Sequence, residues 1–242
     1  DEIRYHSPEG RGKYLPAAEY VYKAQAEGRG VYSFCMCPGG FVVPASTGPE
    51  ETVVNGMSPA NRGSRWANSG LVVELHPEDI PATGIRVEDP TSPLALMQWC
   101  EAFERKSYLA ANRSLRAPAQ RMTDFVAHRH SSTLPSSSYT MGLTSSDLHE
   151  WMPDFITRRL SAGFRAFDRT TRGFLTGEAQ LIGVESRTSS PVRIPRDRMT
   201  YAHPIVAGLY PAGEGAGFAG GIVSAAIDGE NAAQQIALAL GR

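Results

Sequence analysis

The chain has 242 residues, of which 41% are hydrophobic and 20% charged, with a formal net charge of -1 at pH 7. That length suits one large domain or two small ones, and the near-neutral balance gives no overall field for gripping nucleic acid or a membrane surface. No apolar run approaches the roughly 20 residues needed to span a bilayer. The opening Asp1-Glu2-Ile3-Arg4 is charged where a signal peptide would be apolar. Three cysteines make no disulfide framework, so a reducing cytoplasm is the expected compartment. The first residue is not Met, which makes a fragment or a processed product the expectation. Positive charge comes from 21 Arg and only 3 Lys. That suits planar, bidentate anion contacts, and compositional bias of the source accounts for it equally well.

In chain order, residues 1–30 are polar and turn-rich, with a short strand expected over 19–24. The apolar runs 31–37 and 41–44 flank Pro38-Gly39-Gly40 and predict a β-hairpin. A short strand is expected within 50–56, a polar loop over 59–69, and a strand over Leu71–Leu75 stopped by His76-Pro77. From Pro93 the period changes. Leu94, Met97, Cys100, Phe103 and Tyr108 fall on one helical face. A second helix is expected over 119–127, and the Ser/Thr-rich segment 130–145 reads as a loop. Leu148, Met152, Phe155, Ile156, Leu160, Phe164 and Phe167 predict a long amphipathic helix capped by Ser146 or Asp147, with Pro153 marking its true start or a kink. A strand follows over 179–185. Strands, then helices, then a final strand, turn and helix give an α+β class: a β-rich domain with helices over 1–175, and a terminal α/β-like segment over 176–242.

That last segment carries the strongest motif. An apolar strand is expected from Pro204, ended by Gly213 and Glu214; Gly215, Gly217, Gly220 and Gly221 form a dense turn and helix start, and the Ala-rich run to Leu240 a helix. Glycines let backbone approach a ligand closely. Free amides at a helix start favour an anionic or electron-rich group. Gly215, Gly217 and Gly220 satisfy G-x-G-x-x-G, but a dinucleotide fingerprint needs a second strand and an acidic residue about 20 positions on. The chain ends at Arg242, just after the helix. The turn is therefore expected to close a ligand site rather than open one. Glu214 is a candidate contact to a sugar hydroxyl or a cofactor-bound water. The alternative is tight strand–helix packing with no ligand.

The run Gly208–Ile222 resembles the C-terminal flavin-binding segment of FAD-dependent oxidoreductases. Cys35-Met36-Cys37-Pro38-Gly39-Gly40 and Glu185–Ile194 are similar to segments of the bacterial family of uncharacterised, NAD(FAD)-utilising dehydrogenases. The resemblance implies the C-terminal portion of such an enzyme: an inserted substrate-side domain plus the closing piece of the FAD domain. It implies FAD as cofactor, Gly213, Glu214 and Gly215 beside the cofactor chain, and Gly220, Gly221 and Ile222 facing the flavin ring. Ser190 and Pro191 would lie beside the flavin. It also implies partners: a small-molecule substrate and the N-terminal Rossmann half, whose Gly-rich loop and acidic residue are not in this sequence. A homo-oligomer is compatible with it. Neither nucleic acid nor membrane is expected.

Cys35 and Cys37 are the candidate catalytic pair. Alternate residues of a strand share a face with Cα atoms about 6.5 Å apart, near the upper limit for a disulfide. Three readings stand: dithiol–disulfide relay, flavin- or substrate-facing wall, and plain packing. No metal site is expected, because one C-x-C with scattered histidines lacks zinc spacing. Hydrolase, zinc-protease and Walker motifs are absent from the sequence. The alternatives to a flavoenzyme portion are a non-catalytic ligand-binding or interaction module of flavoprotein descent, and a thiol-redox protein using Cys35 and Cys37.

Overall fold

The computed structural model describes residues 12–16 and 18–241; the charged N-terminus Asp1–Arg4 lies outside them. The fold is α+β, as composition and element order predict. The chain divides into two compact units. One combines the chain up to Arg86 with Glu101–Ser186, and the other combines Val87–Cys100 with the chain from Arg187 onward.

The first unit is built on an antiparallel sheet of β1 (Tyr22–Ala26), β2 (Arg29–Pro38) and β5 (Ala67–Val73), in the order β1-β2-β5. Glu27 (φ +49°) and Gly28 (φ +76°) join β1 to β2. Two successive positive φ angles are the pattern of a two-residue I′ turn, whose twist matches that of the strands. The expected hairpin across Pro38-Gly39-Gly40 does not form. β3 (Phe41–Pro44) pairs instead with β4 (Val54–Met57), while β2 takes β5 as its second neighbour. Gly39 (φ +59°) redirects the chain, and the backbone of Arg62 packs into the space its missing side chain leaves.

The long helix forms as the apolar stripe predicts. Its entry is split into α3 (Leu148–Trp151) and α4 (Asp154–Thr170), with Pro153 at the N-cap of α4. Pro153 ends one helix and starts the next because it cannot donate to the preceding turn. Asp147 sits at the N-cap of α3, but its carboxylate goes to His130 Nδ1 at 2.9 Å rather than to a helix amide. The stripe of α4 packs on β1 and β2 around Val31, Phe125, Phe164 and Phe167, with Tyr22 stacked on Phe167 at 5.3 Å between centroids. Gly163 permits that approach, since a Cβ there would lie 2.5 Å from Val31 Cγ1.

The helix expected over 119–127 is a strand followed by a short helix: β6 (Ala117–Arg121), then α2 (Met122–Val126). β6 is the centre of a β7-β6-β8 sheet, parallel to β7 (Leu143–Ser145) and antiparallel to β8 (Gln180–Ile182). The expected 130–145 loop thus ends in a short strand. Four of the five β6 residues are buried. A strand covered on both faces carries no period-2 alternation for a sequence to display. The helix predicted from Pro93 is α1 (Ala95–Ala110), whose residues belong in turn to the two units. Pro77–Thr83 is a 3₁₀ helix, and α5 (Ile222–Ala239) is the terminal helix of the second unit. Among the described residues no helix is long and apolar enough to cross a membrane.

Candidate functional site

The terminal glycine segment lies wholly in the second unit. Pro204–Tyr210 is not a strand. A strand needs a neighbour for its amides, and none of the described strands lies in this unit. The segment instead satisfies itself locally. His203 N donates to Leu209 O at 2.8 Å, and the amides of Ile205 and Val206 donate to His203 Nδ1 at 3.1 and 3.0 Å. Ile205 is left 87% exposed.

The turn itself is well held. Gly213 and Gly217 have φ of +75° and +83°, and a Cβ on Gly217 would meet Val192 O at 2.6 Å. Gly217 N donates to Glu214 O at 2.8 Å, and Phe218 N to Gly213 O at 3.1 Å. From the segment before it, Ser190 Oγ donates to Gly215 O at 3.2 Å and Arg193 Nε to Gly217 O at 2.9 Å. Ile194 N donates to Ala216 O at 3.1 Å. Of the expected cofactor-binding residues, Ser190 and Gly215 are thus brought together directly. Glu214 and Gly215 are exposed.

Gly220, Gly221 and Ile222 open α5, with Gly221 as N-cap. The Gly221 amide is spent on Ser224 Oγ at 3.1 Å. Among the described residues the amides of Gly220 and Ile222 have no acceptor. Nothing lies within 4 Å of where a Cβ on Gly215 or Gly220 would stand. Free amides at an accessible helix start favour an anionic or electron-rich group.

Two residues without a sequence signal hold this unit together. Arg196 and Asp228 form a bidentate pair, Nη2–Oδ1 at 2.6 Å and Nη1–Oδ2 at 2.9 Å. Asp228 Oδ2 also accepts from Gly213 N at 2.8 Å, and Arg196 Nη1 donates to Pro211 O at 2.8 Å. The Arg196 guanidinium holds the Asp228 carboxyl below the usual carboxylate range, aided by the Gly213 amide. It stacks over Phe218 at 3.7 Å and Tyr201 at 4.1 Å.

Cys35 and Cys37 lie in the first unit, both as free thiols. They do not share a face. The β2–β5 register slips between Phe34 and Cys37, and Cys35 adopts φ +49° within that bulge. An extra residue in one strand re-aims the side chains on either side of it. Cys35 is exposed, whereas Cys37 is buried with its Sγ 3.7 Å from Cys35 O. Burial pushes the Cys37 thiol up, and Cys35 and Glu185 add to the shift.

In the sequence Glu185 stands out only as a strand end and as the start of the Glu185–Ile194 segment. It lies over Gly70 of β5, where a Cβ would meet Glu185 Oε2 at 2.8 Å. Burial raises its carboxyl above the ordinary range. Isolated glycines inside the β4 and β5 patterns, Gly56 and Gly70, were the available signal of a close approach. Among the described residues, no group of three or more His, Cys, Asp or Glu side chains is placed to hold a metal.

The family model described as FAD-dependent protein, C-terminal domain-like, matches residues 1–188. The chain is also 42% identical over 226 residues, 92% of its length, to an uncharacterized protein of Clostridium beijerinckii. It spans 41% of that relative. The family match covers the first unit's residues and stops just short of Ser190, while the relative's match takes in most of the chain. The chain belongs to the family of FAD-dependent proteins, C-terminal domain-like.

Proposed function

We propose that this chain is the C-terminal part of an FAD-dependent oxidoreductase of the dehydrogenase type, acting on a small-molecule substrate. In this reading residues 1–175 form the substrate side, and 176–242 complete the FAD domain supplied by an N-terminal half. The observation that carries it is the open helix start at Gly220 and Ile222, beside a glycine turn held in shape by the Gly217 N–Glu214 O and Phe218 N–Gly213 O bonds, in a chain of an FAD-dependent family. Flavin supplies the hydride acceptor when bound. Gly220, Gly221 and Ile222 would hold its ring, their dipoles aimed at charge on its pyrimidine edge. Gly213, Glu214 and Gly215, with Ser190 and Pro191, would line its chain. Cys35 and Cys37 belong to the substrate side.

Further support comes from the apolar surface of the second unit. Ile222 is 91% exposed and Val223 71%, and Ile227 is exposed on the same helix. Contiguous apolar surface of this kind marks an interaction site, here for the N-terminal half. Free thiols and the absence of a long apolar helix among the described residues suit a cytoplasmic enzyme.

The test is co-expression with the N-terminal part that a full-length relative carries. The reading expects a yellow complex with a bound-flavin spectrum and reduction by a nicotinamide or organic donor. A folded, colourless complex that ignores added FAD overturns it.

A further inference from the structure

We propose that Glu185 is a positioning residue for Cys37, set on the same face of the sheet in a polar niche that Gly56 and Gly70 open. The proposal rests on the preceding reading only in placing that thiol on the substrate side of an enzyme. Its test reads the thiol directly, without flavin, so its failure leaves the cofactor assignment untouched.

The niche follows from the register. Phe34 pairs with Gly70, and Cys37 with Asn68. Phe34 and Cys37 are three residues apart, which in a regular strand puts them on opposite faces. Their partners are only two apart, so β2 carries one extra residue and Cys37 swings onto the face of Phe34. Asn68 and Gly70 alternate onto that same face, their Cα atoms about 7 Å apart. Two missing side chains then make the room. At Gly70 a Cβ would strike the Phe34 ring at 2.5 Å and Glu185 Oε2 at 2.8 Å. At Gly56 it would strike Asn68 Oδ1 and would lie 3.1 Å from Cys37 Sγ. Glu185, over Gly70, and Cys37, paired with Asn68, therefore lie on a common face, one Gly70–Asn68 step apart.

The niche is chemically unspent. Among the described residues burial alone acts on the Glu185 carboxyl, with no hydrogen bond to it, and Asn68 Nδ2 is buried with no acceptor. The charged and titratable groups acting on Cys37 are Cys35 from its own strand, Glu185, and Arg62 from the segment after β4, which opposes the other two. A carboxylate on the same face, in a site withdrawn from water, disfavours a second negative charge. Burial first, then Cys35 and Glu185, push the Cys37 thiol up and keep it weakly nucleophilic, while Cys35, exposed on the bulge, is the one open to reagents. The two cysteines are unequal by construction.

Alkylation by iodoacetamide, followed cysteine by cysteine by mass spectrometry, tests this across pH. For Glu185→Gln, Cys37 should react about three- to tenfold faster than in the native protein once Glu185 is ionised. The ratio should fall to about one at lower pH, where the native carboxyl is neutral like the amide, with Cys100 unchanged throughout. A ratio that stays at one, or one that is constant with pH, overturns the proposal, because a merely structural change would not follow the titration of Glu185. Should the variant not fold, labelled-cysteine and labelled-glutamate NMR of the native protein decides. The Cys37 resonance should shift as Glu185 titrates, and no shift there overturns the proposal.

Discussion

Arg196 clasps Asp228 through two parallel bonds, and the same carboxylate holds the Gly213 amide at 2.8 Å. Both side chains are nearly buried, with 9% and 12% of their surface exposed. The pair ties the terminal helix to the loop before the glycine turn, so the turn keeps its shape without a strand behind it.

Asp228→Ala should therefore loosen the second unit by about 2 kcal/mol, the cost of leaving a nearly buried guanidinium unpaired. Amide hydrogen exchange locates the effect: Gly213 should exchange faster, while Val31 in the first unit should not. The sign with pH follows from the depressed carboxyl. Its contribution is present above the ordinary carboxylate value near 3.8 and is lost as pH falls through the lower folded value. Unchanged exchange at Gly213 would mean the clamp does not hold the turn.

The glycines of the turn separate structural from ligand roles. Gly217→Ala places a side chain at φ +83° against Val192 O and should cost about 1–3 kcal/mol in denaturant unfolding. Gly220→Ala meets open space and should change stability by no more than about 0.5 kcal/mol. In the full-length protein, Gly220→Leu should nevertheless abolish bound flavin while the fold persists. Retention of full flavin content would remove Gly220 from the site.

What was legible in the sequence was periodic or punctuated. The stripe from Leu148 to Phe167 predicts α4 because a half-buried helix must repeat its apolar residues every turn, and Pro153 marks the break because it lacks a donor. What was not legible depended on partners distant in sequence. β3 leaves β2 for β4, and Pro38-Gly39-Gly40 looks the same in either pairing. Pro204–Tyr210 has strand composition, but no described strand lies in its unit to pair with it. The glycine turn was found from its composition, whereas Arg196 and Asp228, 32 residues apart, carry no local pattern. The bulge that separates Cys35 from Cys37 is a register event between β2 and β5, invisible along either strand alone.

The Glu74–His76 contact, Oε1 to Nε2 at 2.8 Å, gives a pH prediction at the surface. Glu74 raises the His76 imidazole above its usual 6.5, and His76 first, with the Gly30 amide, lowers Glu74 below its usual 4.5. The raised histidine contributes fully below 6.5 and loses its effect as pH rises through its folded value; the lowered carboxyl contributes above 4.5 and fails as pH falls through its own. The pair is fully engaged between those limits. In NMR titrations Glu74→Gln should bring His76 down to or below its ordinary value, because burial and Arg29 both lower it and outweigh the smaller raising effect of Glu78. An unmoved His76 titration would show that Glu74 does not act on the ring.

Gly163 offers a test in which two effects oppose. Alanine in a helix interior is favoured over glycine by about 1 kcal/mol. Here the added methyl would stand 2.5 Å from Val31 Cγ1, in a side chain that is itself fully buried. Overpacking of that kind costs about 1–3 kcal/mol, so Gly163→Ala should be net destabilising, by about 1 kcal/mol. Val31→Ala alone leaves a cavity beneath the helix and also destabilises. Combined, the new methyl enters the space the valine vacates, and the double variant should be more stable than the two single effects predict, by about 1–2 kcal/mol. Denaturant unfolding of the four proteins measures the coupling. Simple additivity would mean that α4 moves away from the sheet instead of pressing on Val31.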